Sequence, residues 1–121
     1  MKIDIKAKNI ELTTPLYNYI VEKISSLERF TQKWEADGVV EARVEVERTT
    51  KHHHKGPVYF AEINLHLPGK VFHGEQTDWD IRIAVDKARD ELQREIKKYK
   101  ELSPTESKRT MKELRKLRGK E

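Results

Sequence analysis

The feature that most constrains this chain is a set of apolar residues at helical spacing: Ile81, Ala84, Val85, Ala88, Leu92, Ile96 and Tyr99. They form one stripe, so the spacing predicts an amphipathic helix from about Trp79 to Lys100 with a single buried face. Its flanks carry Arg82, Lys87, Arg89, Arg94, Lys97, Lys98 and Lys100. At about 100° per residue, Arg82, Arg89, Lys97 and Lys100 fall on one shoulder, and Lys87, Arg94 and Lys98 on the other. A helix built this way lies naturally along a polyanion, in rows that suit phosphate contacts. The competing reading is a solvated face of i,i+4 ion pairs, and charge alone leaves the two about even.

A second amphipathic helix is expected from about Pro15 to Trp34. Leu16, Ile20, Ile24 and Leu27 supply its stripe, Thr14 its cap, and Pro15 the first helical position, where no amide donor is needed. Lys23 falls near that stripe and is expected to reach the rim shared with the other helix. Between and before the helices the period changes to two. Lys2 to Lys8 places Ile3, Ile5 and Ala7 on one side. Val40, Ala42, Val44 and Val46 alternate with Glu41, Arg43, Glu45 and Glu47, and Tyr59, Ala61, Ile63, Leu65 and Leu67 face one way.

Pro68-Gly69 reads as a tight turn into a short strand from Lys70 to about Gly74, with Asp78 capping the helix that follows. The order is β-α-β-β-β-α. This is an α+β fold, most simply a four-stranded antiparallel sheet with both helices packed on one face. Residues 1–101 form the domain. Residues 102–121 form a basic C-terminal tail, a short helix opened by Ser103-Pro104-Thr105-Glu106 or a disordered segment.

Composition narrows the function. The 121 residues suit one domain with a modest core. Neither a signal peptide nor an apolar run long enough for a membrane is legible, and with no cysteine a cytoplasmic protein without cofactors is the expectation. Residues 97–121 hold ten Lys/Arg against four Glu, or +6. The rest, with fifteen basic and seventeen acidic residues, carries −2 of the net +4. An anionic partner would meet an oriented molecule.

The outward faces of the second and third strands show Glu41, Arg43, Glu45, Glu47, Glu62, Asn64 and His66, with Phe60 as their one aromatic. Such a face repels phosphate and offers little to stack on, so binding falls to the helices. His52-His53-His54, between Lys51 and Lys55, is read as a polar hairpin tip, because no carboxylate or cysteine shares the loop to complete a metal site. Trp34 and Trp79 are read as packing at the edge of the core, with stacking on a base as the second reading. No nucleophile triad, phosphate loop or metalloprotease helix is present, so no catalytic residue and no metal is assigned.

The segment Ile10-Glu11-Leu12-Thr13-Thr14-Pro15-Leu16-Tyr17-Asn18-Tyr19-Ile20-Val21-Glu22-Lys23-Ile24-Ser25-Ser26-Leu27-Glu28-Arg29-Phe30 resembles the first helix of the ribosome hibernation-promoting factors. That family includes the ribosome-associated translation inhibitors, also called sigma-54 modulation proteins. Asp80, Ala84-Val85-Asp86, Leu92, Arg94, Ile96 and Lys97-Lys98-Tyr99-Lys100 are similar to its second helix, and the likeness covers roughly residues 1–100. It implies a fold like a double-stranded-RNA-binding domain with an extra N-terminal strand. It also implies a plug on the 30S subunit and the 70S ribosome, over the mRNA channel and the A and P tRNA sites, gripping 16S rRNA phosphates.

The basic positions matching the family are Lys23, Arg29, Arg94, Lys97, Lys98 and Lys100; Lys33, Arg82, Lys87 and Arg89 are added from helix geometry. Arg82 stands where the family usually has tyrosine. The family's long form carries a second, dimerising domain, and only about 20 residues follow the helix here. The chain is therefore not expected to pair ribosomes through a C-terminal domain of its own; it is expected to be a monomer off the ribosome, with its basic tail adding rRNA contacts. Membranes and small-molecule substrates are not expected partners. The alternatives are a general structured-RNA-binding module acting off the ribosome, and a protein-interaction adaptor.

Overall fold

The structure, a computed structural model, describes residues 1–49 and 58–101. The elements in order are β1 (Lys2–Lys8), α1 (Thr14–Ser25), α2 (Glu28–Glu35), β2 (Glu41–Arg48), β3 (Tyr59–Leu67), β4 (Lys70–Asp78) and α3 (Ile81–Glu101). The strands form one sheet in the order β1-β2-β3-β4. The loop tip with His52–His54 and the tail 102–121 lie outside the described residues.

The α+β architecture is as the periodicities predict, but the sheet is mixed rather than antiparallel. β1 runs parallel to β2, while the β2–β3 and β3–β4 pairs are antiparallel. A parallel pair needs a crossover too long for a hairpin, and α1 and α2 supply it. The β1–β2 register places Lys2 opposite Glu41, Asp4 opposite Arg43, Lys6 opposite Glu45 and Lys8 opposite Glu47. Alternate residues turn inward. Ala42, Val44, Val46, Ala61, Ile63 and Leu65 are buried under Leu16, Ile20, Ile24 and Leu27 and under Ala84, Val85, Ala88, Leu92 and Ile96. The helical layer thus covers one sheet face and leaves the other open.

The expected helix from Pro15 to Trp34 is two helices. At the break the Ser26 hydroxyl donates to the Lys23 carbonyl, and the Leu27 amide reaches only three residues back, to Ile24. A serine that competes for a ladder carbonyl, followed by a tightened turn, ends an α-helix. The bend lets Leu27 and Thr31, both fully buried, face the core in turn. The cap is Thr13 rather than Thr14: its Oγ1 accepts from the Leu16 amide at 3.3 Å.

The strand expected to stop near Gly74 continues to Asp78, with Phe72 and Gly74 facing inward. Gly74 is required by close approach. A Cβ there would lie 2.8 Å from the Ala88 carbonyl oxygen and 3.3 Å from Leu92 Cγ. Gly69 takes φ +80 in the turn before β4, as the second turn residue must. The cap of α3 is Asp80 rather than Asp78. Asp80 Oδ1 accepts from the Arg82 amide at 2.8 Å, while Asp78 Oδ2 accepts from the Asp80 amide. Trp79, bracketed by the two, is 59% exposed and not packed at the core edge as its sequence position suggests. Trp34 does pack, in a cluster with Phe72 and Tyr99 at centroid separations of 5.4 to 6.4 Å.

Candidate nucleic-acid interface

The two shoulders of α3 meet different neighbours. On one, Arg82 and Arg89 reach α1, and the Lys100 ammonium lies 5.7 Å from the Trp34 ring centroid in α2. On the other, Lys87 donates to the Thr77 carbonyl at 3.0 Å and sits 3.5 Å from Asp78 at the end of β4. α1 and α3 lie side by side, joined where the Tyr19 hydroxyl donates to Asp86 Oδ1 at 2.6 Å and Lys23 Nζ approaches the same oxygen at 3.5 Å. Lys23 therefore reaches the shared rim, as its wheel position predicts. Burial first, and the Asp86 hydrogen bond second, push the Tyr19 phenol up to about 12.

The expected RNA-binding cations fall into two groups by what already holds them. Arg89 is more enclosed than Lys23 or Lys87. Its side chain is 11% exposed, its Nε donates to Ser26 Oγ at 2.8 Å, and its Nη1 donates to Gln93 and Asp90. Lys87 and Lys23 each have a carboxylate partner. By contrast, Arg94, Lys97 and Lys98 are exposed on the last turns of α3, and no ion-pair partner is found for them among the described residues. The same holds for Arg29, whose Cζ lies 4.9 Å from the Phe30 ring centroid, for Lys33, and for Arg82, whose Cζ lies 4.6 Å from the Tyr19 ring centroid.

Burial first, and the neighbouring Lys33 charge second, lower the Lys100 pKa from its ordinary value. Burial of an ammonium disfavours its charged form, and a neighbouring cation adds to that in the same direction. Sequence reasoning missed Lys70. It lies 5.2 and 4.9 Å from the Phe72 and Tyr99 ring centroids, lining a shallow pocket with Glu95 and Lys98. No helical period points to a residue just past a turn; only the fold brings it beside α3.

The open sheet face has the opposite character. A shallow groove there is lined by Asp4, Glu41, Glu45 and Glu62 against Lys6 and Arg43. Among the described residues, one group of side chains has the makings of a metal site: Glu62, His73 and Glu75 on this face. Their arrangement is accounted for by His73 bridging Asn64 at 2.7 Å and Glu75 at 2.9 Å. Among the described residues, no helix is long and apolar enough to cross a membrane.

Residues 3–102 match the profile of the family described as sigma 54 modulation protein / S30EA ribosomal protein. A ribosome hibernation promotion factor of Deinococcus radiodurans is 33% identical over 98 residues, which cover 79% of this chain and 47% of that protein. This chain thus spans about half the length of that relative. A ribosome hibernation promoting factor of Klebsiella oxytoca is 28% identical over 101 residues, covering 84% of this chain and 95% of that one.

Among solved structures, the N-terminal domain of Thermus thermophilus Protein Y superposes with a TM-score of 0.65 at 28% identity, covering 82% of this chain and 99% of that domain. A ribosomal subunit interface protein from Coxiella burnetii superposes with a TM-score of 0.66 over 83% of this chain and 98% of that one. At 15% identity it speaks for the fold alone.

Proposed function

Because the chain belongs to the sigma 54 modulation protein / S30EA ribosomal protein family, we propose that it is a ribosome hibernation factor. On this reading it is a cytoplasmic protein that binds the 30S subunit at the mRNA channel and the A and P tRNA sites, alone or within the 70S ribosome. It inhibits translation and preserves idle ribosomes by steric occlusion, without turnover chemistry. The observation that carries the proposal is the group of exposed cations closing α3, namely Arg94, Lys97 and Lys98, for which no ion-pair partner is found among the described residues. Cations without carboxylate partners favour an incoming phosphate, whereas the groove on the open sheet face is rich in carboxylates.

The domain of residues 1–101 carries the grip. The basic tail, 102–121, adds rRNA contacts, and the protein is a monomer off the ribosome.

Cosedimentation with 30S, 50S and 70S particles tests this. We expect binding to 30S and 70S but not 50S, and reduction by initiator tRNA. A combined Arg94→Glu, Lys97→Glu, Lys98→Glu variant is expected to lose about 100-fold or more in affinity. A chain ending at residue 101 is expected to show a shallower salt dependence. Equal binding to any duplex RNA, without ribosome preference, would replace this reading with a general RNA-binding module. Binding to no particle and no RNA would leave the protein-interaction adaptor.

A further inference from the structure

We propose that Asp86 and Tyr19 are positioning residues that hold the Arg82 guanidinium in a fixed orientation at the α1–α3 seam, ready to take an RNA phosphate on its edge. The inference rests on the ribosomal-RNA reading above and deepens it. Tyr19 is anchored at both ends, by its backbone in α1 and by its hydroxyl, which donates to Asp86 Oδ1 at 2.6 Å. The Arg82 Cζ lies 4.6 Å from the centroid of that anchored ring. A guanidinium held over a ring is attracted through its delocalised charge and keeps its N–H fork free of that contact, the fork that recognises phosphate bidentately. Among the described residues, no acceptor takes those side-chain donors.

Arg89, on the same shoulder of the same helix, shows the other outcome. Its donors are engaged by Ser26, Asp90 and Gln93. The seam thus holds one arginine that is consumed by the fold and one that is ordered by it yet left with open valence. Ordering in advance matters because a free arginine loses rotamer freedom when it grips a ligand.

A purely electrostatic account gives the opposite sign. Asp86 is an anion beside a surface meant for a polyanion, so its neutralisation should tighten RNA binding. Positioning requires that it loosen binding, because Asp86 keeps the ring under Arg82 in place through the Tyr19 hydroxyl.

The test is equilibrium binding of the labelled full chain to purified 30S subunits over a range of KCl, with Asp86→Ala, Arg82→Ala, Arg94→Ala and the two doubles that contain Asp86→Ala, since alanine leaves the Tyr19 hydroxyl no acceptor at this position. Asp86→Ala should weaken binding about 5- to 10-fold at matched salt. It should cost little more once Arg82 is alanine, and should add in full to Arg94→Ala. Unchanged or tighter binding by Asp86→Ala would overturn the proposal. So would a penalty that persists undiminished in the Arg82→Ala background, since a general loosening of α1 from α3 gives that pattern. A wild-type chain that fails to bind 30S subunits would instead overturn the functional reading itself, and the assignment of Arg82 with it.

Discussion

The first half of α3 and its last turns carry similar numbers of cations and put them to different uses. Toward the N-terminal end, Lys87 is bound to the end of β4, Arg89 to α1 and its own helix, and Arg82 rests on Tyr19. There the positive charge is part of what joins α3 to its neighbours. Toward the C-terminal end, Arg94, Lys97 and Lys98 stand clear, and the aromatic cluster of Trp34, Phe72 and Tyr99 does the packing instead. Counting basic residues along a helix therefore overstates the charge offered to a partner. Engagement within the fold has to be subtracted first.

The comparison breaks at different points under different substitutions. The largest expected effect is on the anchored half. Gly74→Ala drives a Cβ toward the Ala88 carbonyl oxygen, at 2.8 Å, and should destabilise the domain by about 2 to 3 kcal/mol, read as a lowered denaturant midpoint. A midpoint within error of wild type would mean that α3 is not seated on β4 as described.

A smaller effect separates the two halves directly. Arg94→Ala should reduce the salt slope of 30S binding by about 1 and leave stability unchanged. Arg89→Ala should do the reverse, lowering stability by about 1 kcal/mol without altering the slope. Matching slope changes in both variants would erase the distinction.

The smallest effect is spectroscopic. Neutral Tyr19 is favoured in the folded state, so its contribution to stability is complete below its ordinary pKa of 10.0. That contribution is lost as pH rises through about 12. Tyr19→Phe should remove a late-titrating phenol from the ultraviolet titration and flatten that alkaline loss. An unchanged late phase would show that Tyr19 is not the phenol that titrates late.

Much of the fold was legible because period and burial coincide. Every apolar residue of the α3 stripe between Ala84 and Ile96 is buried, and the alternation of β2 and β3 matches their faces. The miscalculated boundaries have physical causes. Ser26 looks like any helical surface residue until its hydroxyl is seen bonded to the Lys23 carbonyl. Gly74 reads as a strand end, although it is the one residue that fits under Ala88. Asp78 and Asp80 are both plausible caps, and choosing Asp78 misplaces Trp79 as well.

Alternation within a strand says which side is inward, not which way the neighbour runs, so the parallel β1–β2 pair was invisible to it. At the candidate site, the wheel sorted Arg82 and Arg89 correctly from Lys87. Which of them keeps open donors depends on Ser26 and Tyr19, far away in sequence, and no local pattern reports that.

The β1–β2 pairing has a consequence for how the chain finds its fold. A slip of one residue would turn Ile3 and Ile5 outward, and burial alone rejects it. A slip of two keeps the apolar face intact, so burial cannot detect it. In either direction it sets two like-charged pairs side by side: Lys2 with Arg43 and Asp4 with Glu45, or Asp4 with Glu41 and Lys6 with Arg43. The native alignment alone opposes four unlike pairs. The polar side of this edge strand acts as a checksum, catching the one class of misalignment that hydrophobicity lets through.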